Sequence, residues 1–276
     1  HCEDGALIRC VCRELMEQGR SAPRFYPDSR PVYTESVATE RGIAMARVTG
    51  APIYIVHLSS EAALEHCRQA RAEGLPVYVE TRPLYLYLTR ELFEQPDGAK
   101  YAGAPPLREP ADLRAMWHGL QSGDIQCLCT DHAPWSLRQK LDPTLNVMTV
   151  RQGVADLETL MPMLYSEGVR GERISLSRFV ELTSTNAAKL FGLYPQKGTI
   201  AVGSDADLVV WDAEARRTID GAAMQSRAGY SVYDGREVQG WPIYTISRGQ
   251  VVLDNGTLMA PRGRGRWVRR GKTMRL

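Results

Sequence analysis

The side chains of this sequence best suited to bind a metal or move a proton stand where short apolar runs end. Pro52-Ile53-Tyr54-Ile55-Val56 closes on His57, the run Ile125–Leu128 leads through Cys129-Thr130 to Asp131-His132, and the chain opens on His1. Imidazoles and a carboxylate converging from different strands can hold a divalent ion and leave one position open for water, which is what a hydrolytic metal centre needs. Taken singly, a strand-end histidine serves as well as a hydrogen-bonded structural residue, and a strand-end aspartate as the cap of the next helix. It is the joint placement of His57 and Asp131 in an alternating strand–helix pattern that favours the metal site. His132 is placed to orient a ligand, to contact substrate or only to fill space. Glu80 closes the intervening run from Val77; a buried carboxylate there needs partners, and a structural hydrogen-bonding role is favoured over catalysis. His66 and His118 fall within helical patterns, with no partner at ligand spacing, and read as structural.

These residues need a scaffold that brings strand ends together. Apolar residues recur at helical spacing through Asp4–Gln18 and Ser36–Val48, with a three-proline stretch, Ser21–Pro31, read as a loop between them. Strand Ile53–Val56, helix Ser60–Glu73, strand Val77–Glu80, helix Pro110–Gln121 and strand Ile125–Thr130 follow in order. Ser60 is the expected N-cap of the first of these helices and Gly74 its stop. Such alternation predicts parallel βαβ units with both sheet faces covered. Leu157–Tyr165 and Ser175–Leu190 are again helical, the latter in two pieces with Ser184 or Thr185 capping the second. Beyond Gly198 the pattern turns to short β-branched runs: Thr199–Val202, Leu208–Trp211, Tyr244–Ser247 and Gln250–Leu253, with a tight turn at Asp254-Asn255-Gly256. The expected division is a partial barrel over 1–195, a small β domain over 196–260 and a basic tail over 261–276.

At 276 residues the chain can bury one large core with a small satellite. With 34 Lys+Arg against 32 Asp+Glu, its overall charge names no polyanionic partner. The Arg-Gly run after Pro261 has no matching basic face elsewhere, so it reads as a solvated or intersubunit tail and no nucleic-acid partner is expected. The six scattered cysteines form no C-x-x-C pair and read as free thiols of a reducing cytoplasm. No apolar run reaches the roughly 18 residues of a membrane helix, and no membrane partner is expected. The start on His1 rather than Met, directly before an acidic dipeptide and a helix, suggests a piece of a longer chain.

Seven stretches together resemble the dihydropyrimidinase/hydantoinase branch of the amidohydrolase superfamily. They are His1-Cys-Glu-Asp-Gly, Tyr54-Ile-Val-His57-Leu-Ser-Ser, Val77-Tyr-Val-Glu-Thr-Arg-Pro, Pro105-Pro-Leu-Arg, Thr130-Asp-His-Ala-Pro-Trp, Thr185-Asn-Ala-Ala-Lys-Leu-Phe-Gly-Leu-Tyr-Pro and the glycine-rich Lys197–Trp211. They run in family order across most of the chain. The resemblance implies an α/β fold: the C-terminal half of a (β/α)8 TIM-type metal-dependent hydrolase barrel, plus part of a small β-sandwich. It implies two divalent metal ions, usually zinc, bridged by a carboxylated lysine that would precede His1. By motif, His1 and His57 match metal ligands of the fifth and sixth strands. Asp131 matches the last-strand carboxylate, which also takes a proton from the nucleophilic water and delivers it to the departing nitrogen. Ala104 in the Pro-Pro-Leu-Arg region, with Thr149 and Arg151 in the later loop, match main-chain contacts to the ring imide.

The departures are as informative. No His-x-His occurs, and none of the five lysines precedes His1, so half of the bimetal site would lie upstream and residues 1–276 alone are expected to bind metal poorly and turn over little substrate. Ala104 stands where many members carry Ser, and Val147–Gly153 departs from the usual Pro-Asn-Gly wording. The expected substrate is a small cyclic amide and the expected assembly a homo-oligomer, commonly a tetramer. Allantoinase- or dihydroorotase-like chemistry is an alternative; a substrate carboxylate would call for an arginine at the barrel mouth, for which Arg82 and Arg108 are nearest. A non-catalytic structural relative is the other alternative, against which retention of His1, His57 and Asp131 argues.

Overall fold

The three apolar runs that end in candidate residues pair as one parallel sheet. In the computed structural model, which describes residues 1–276, β1 (Ile53–Ile55), β2 (Val77–Thr81) and β3 (Cys127–Leu128) lie in that order. Ile53 stands opposite Val77, and Glu80 opposite Cys127. β3 is shorter than its apolar run because the Gln126 side chain replaces a ladder partner, accepting from the Val79 N–H at 2.8 Å. Main-chain bonds run on from the Gln126 N–H, which donates to the Val79 carbonyl at 2.9 Å, to the Cys129 N–H, which donates to the Thr81 carbonyl at 3.0 Å.

Helices Glu61–Ala72 and Pro110–Ser122 make the crossovers. Val77 and Val79 are fully buried, as a parallel strand covered on both faces requires; each valine contributes about 1.5–3 kcal/mol by leaving water. The two helices approach closely at Gly119, where a Cβ would lie 2.8 Å from Ile125 Cδ1 and 3.0 Å from Leu64 Cδ2. Ser60 holds the N-cap position of helix 61–72 without a side-chain cap bond. The Glu61 N–H donates instead to Asp112 Oδ1 at 2.9 Å, so a carboxylate from the neighbouring helix does the capping.

Upstream, helix Gly5–Glu17 is capped by Asp4, which accepts from the N–H groups of Ala6 and Leu7. Helix Val32–Thr49 begins four residues before its apolar pattern does. The three-proline stretch is more ordered than a loop: Pro23–Phe25 and Tyr26–Ser29 form helical turns, because Tyr26 is fully buried and donates to the Gly103 carbonyl at 2.9 Å.

Contacts divide the chain into two compact units, residues 1–160 with 220–234 and residues 161–219 with 235–276. The division thus falls at Leu160, where the sequence suggests 195. Residues 161–190 side with the later strands because Tyr165 and Phe179 stack on Trp211, with ring centroids 5.1 and 6.1 Å away.

In this second unit β4 (Leu208–Thr218), β5 (Glu237–Ser247), β6 (Gln250–Asp254) and β7 (Thr257–Leu258) form an antiparallel sheet in chain order. Leu176–Leu190 is one continuous helical run with a π turn at Glu181–Thr185, so it has no internal cap; the Thr185 hydroxyl donates to the Gly198 carbonyl at 2.7 Å. Thr199–Val202 is not a strand: it has no partner, and Ile200 and Val202 are exposed. Part of the basic tail lies back on its own unit. Gly271 N–H donates to the Gly192 carbonyl at 2.7 Å and Arg264 donates to the Ser247 carbonyl at 2.7 Å, while Trp267 stays exposed.

Candidate functional site

Both strand-end candidates have left-handed backbone. His57 has φ 40° and Asp131 φ 47°, although neither is glycine. Such conformations are uncommon for residues with a Cβ and persist where surrounding contacts enforce them. At His57 the enforcement comes from β2: the His57 N–H donates to Glu80 Oε1 at 3.4 Å, and the Leu58 N–H to the Glu80 carbonyl at 2.8 Å. The other Glu80 oxygen accepts from the Tyr54 hydroxyl at 2.6 Å. Glu80 therefore fixes the turn that presents His57.

His1 and His57 meet. His1 Nδ1 lies 3.1 Å from His57 Nε2, with the rings edge to face. The other nitrogen of His1, Nε2, lies 3.2 Å from Glu3 Oε2, which is held at 2.6 Å by Arg30. Glu3 is buried while His1 is half exposed. A carboxylate behind an imidazole fixes its tautomer and orientation, as in metal-ligating histidines. Burial holds the His57 imidazole below its usual range, with the Asp131 carboxylate pulling the other way, which favours the neutral ring.

Asp131 is half exposed, and its Oδ2 accepts from Arg82 Nη1 at 2.9 Å. Arg82 is wholly buried and reaches Asp156 Oδ2 at 3.5 Å with Nη2. Burial pushes the Asp156 carboxyl up to about 7, against the opposing pull of Arg82. Arg108 is also buried, donating to Ser59 Oγ and the Arg30 carbonyl and pairing with Glu35 at 3.3 Å. Both arginines are thus committed to internal partners.

The donor set fits a divalent ion in part. Two imidazole nitrogens 3.1 Å apart are close to the roughly 3.3 Å expected of neighbours in a tetrahedral shell with Zn–N near 2.05 Å. His57 Nδ1 is buried without a hydrogen-bond partner. No group of three His, Cys, Asp or Glu side chains is assembled, however, so Asp131 does not close on the histidine pair. His132 turns from the pair: its Nδ1 accepts from the Leu157 N–H at 3.3 Å, and its ring lines a cavity with Ala155, Glu158 and Tyr230.

The remaining candidates lie on two main-chain segments. Ala104 sits between carbonyls that are all engaged: Ala102 by Gly153 N–H, Gly103 by Tyr26 and Pro105 by Tyr85. Thr149 Oγ1 accepts from the Asn146 N–H at 2.9 Å and closes a turn, and the Arg151 guanidinium lies 5.4 Å from the Trp135 ring centre. Neither side chain contacts the histidine pair. His66 and His118 bond to Ser36 Oγ and Arg68 respectively. All six cysteines are free thiols.

Glu3, Asp156 and Lys140 are the residues that inspection of the sequence passes over. Only Glu3, two positions from His1, carries a local signal; the other two act across long separations.

Polar strand-end residues above a parallel βα sheet mark α/β enzymes that place their chemistry at the carboxyl ends of strands. Residues 35–252 match the Amidohydrolase family. The chain belongs to that family, in its hydantoinase/dihydropyrimidinase branch. It is 40% identical over 275 residues to a D-hydantoinase of Ralstonia pickettii, covering 99% of this chain and 60% of that protein. It is 40% identical over 272 residues to a D-phenylhydantoinase of Escherichia coli O1:K1 / APEC, covering 98% and 59%. The crystal structure of dihydropyrimidinase from Brevibacillus agri NCHU1002 superimposes with a TM-score of 0.97 at 38% identity, covering 100% of this chain and 60% of that one. The chain therefore spans about 60% of the length of these relatives.

Proposed function

We propose that this chain forms the strand-end part of a metal-dependent cyclic amidohydrolase that opens dihydropyrimidine or hydantoin rings. The observation that carries the proposal is the 3.1 Å approach of His1 Nδ1 to His57 Nε2, with Glu3 behind one ring and a buried imidazole, favoured in its neutral form, as the other. The names of the relatives, D-hydantoinase and dihydropyrimidinase, supply the ring class. The parallel sheet is read as part of a (β/α)8 barrel and the antiparallel sheet as part of a β-sandwich. A small-molecule substrate, a homo-oligomeric assembly and a cytoplasmic location complete the proposal.

His1 and His57 would hold divalent metal, zinc being suited to imidazole donors, and Asp131 would join them once its carboxylate is drawn from Arg82. When bound, the metal polarises the ring carbonyl and makes water acidic enough to attack at neutral pH. Asp131 accepts the proton released as water adds to that carbonyl. It then returns the proton to the ring nitrogen as the C–N bond breaks, leaving an open-chain N-carbamoyl acid. Main-chain groups around Ala104 and between Thr149 and Arg151 would orient the imide. Arg108 pairs internally with Glu35, and Arg82 keeps Asp156 as a partner even when Asp131 leaves it, so neither buried arginine is without a carboxylate, which favours neutral rings over dihydroorotate-like ones.

Since a catalytic metal takes three protein ligands and no such group is assembled within residues 1–276, further donors are proposed to come from additional chain. The test compares residues 1–276 with a chimera carrying the amino-terminal portion of the Ralstonia relative, each loaded with zinc and given 5-phenylhydantoin or dihydrouracil. Ring opening by the chimera, lost in its Asp131→Asn form, is expected. Turnover that survives Asp131→Asn would sink the catalytic assignment.

A further inference from the structure

Lys140 is the one lysine buried inside the molecule, with 1% of its surface exposed. A buried ammonium is costly unless its three hydrogens find acceptors. Here all three do: Nζ donates to the carbonyls of Ala102 at 2.7 Å, Arg151 at 2.6 Å and Gly153 at 2.9 Å. No carboxylate is among them. Burial pushes the ammonium down to about 7, and neighbouring Arg82 adds to this; three carbonyl dipoles aimed at Nζ act in the opposite sense and favour the charged form.

The carbonyls come from the two segments that flank the candidate site. Residues 151–154 run directly beside the Asp131 turn. The Ala133 N–H donates to the Val154 carbonyl at 3.0 Å, and Trp135 Nε1 donates to the Gln152 carbonyl at 2.8 Å. Gly153 N–H donates to the Ala102 carbonyl at 2.9 Å, which ties the second segment to the first. The contact is tight: Gly153 has φ +111°, and a Cβ there would lie 2.3 Å from Ala133 Cβ.

We propose that Lys140 is a positioning residue, a cationic clamp that pulls the 102–104 and 151–154 main chains together and holds them against the Asp131 turn. It does so without touching substrate, by neutralising three carbonyl dipoles that would otherwise repel one another. For its ligand, a cyclic imide lying between these segments, the proposal rests on the function proposed above; the clamp itself does not.

Hydrogen–deuterium exchange on the intact chain tests this, comparing wild type with Lys140→Met and Lys140→Arg. Lys140→Met is expected to speed exchange at Ala133 and Gly153 at least tenfold and to shift Trp135 fluorescence, leaving helix 61–72 unchanged. Lys140→Arg keeps the charge but cannot centre one nitrogen among three carbonyls, and should give an intermediate rise; it decides the matter if the methionine variant does not fold. In the zinc-loaded chimera, Lys140→Met should lower kcat/KM for 5-phenylhydantoin tenfold or more with zinc content unchanged, and Lys140→Arg should restore part of it. Unchanged exchange at Ala133 and Gly153, or a uniform rise that includes helix 61–72, would overturn the clamp. A wild-type chimera that protects these amides but ignores cyclic amides would sink the function and leave the clamp standing.

Discussion

The Arg82 guanidinium lies 2.9 Å from Asp131 Oδ2 with one nitrogen and 3.5 Å from Asp156 Oδ2 with another. One wholly buried cation thus bridges the two ends of the segment that turns through Asp131 and returns. Removing it takes the cationic partner from the buried Asp156 carboxyl and frees a half-exposed carboxylate at Asp131. Arg82→Met should therefore destabilise the first unit by about 3 kcal/mol, toward the lower end of what breaking a buried pair costs, because Asp131 recovers water. Urea denaturation measures this, and a loss below about 1 kcal/mol would mean the pair is not formed.

Glu3 should matter to metal without touching it. With its carboxylate 3.2 Å from His1 Nε2, Glu3→Gln keeps shape and loses charge, and zinc affinity of the chimera should fall about 10- to 100-fold. Competition against a chromophoric chelator reads the constant. Equal affinities would show that His1 is oriented by something else.

Asp156 gives the fold a pH dependence of known sign. Its carboxyl titrates near 7 in the native chain, above the ordinary carboxylate value near 4. The fold therefore holds a proton that the unfolded chain has released, and the resulting stability is present below about pH 4 and lost as pH rises through 7. Between pH 5 and pH 8 the wild type should lose stability relative to Asp156→Asn, by roughly 1–3 kcal/mol. Parallel urea curves for both proteins at the two pH values check it; identical pH trends would refute the assignment.

Asp112 caps a helix that is not its own. Since its Oδ1 takes the Glu61 N–H at 2.9 Å, Asp112→Ala should cost about 1 kcal/mol, while Ser60→Ala, which removes no cap bond, should leave that first turn intact. Amide exchange at Glu61 distinguishes the two variants: protection should fall only in the first.

The legible part of this molecule is what neighbouring residues write together. Apolar runs that stop at His57, Glu80 and Asp131 announce strand ends, and the resemblance carried by those stretches identifies the family. Thr199–Val202 shows the limit of such patterns: it alternates like a strand but finds no partner, and its side chains stay in water. The left-handed turns at His57 and Asp131 carry no glycine to betray them. Lys140, Arg82 and Asp112 reach partners 11 to 74 positions away, and nothing adjacent to them in the chain encodes where those partners will be. Arg82 and Arg108 illustrate the same point from the other side. Sequence marks them as cations near the strand ends, while only packing decides that both face inward to carboxylates.

Residues 220–234 count with the first compact unit although their flanks on both sides count with the second. The polypeptide therefore crosses between the two units three times, at 160/161, 219/220 and 234/235. No single protease nick or cloning boundary can excise either unit whole. A nick within 220–234 would cut a segment of the first unit and leave the two segments of the second on separate chains.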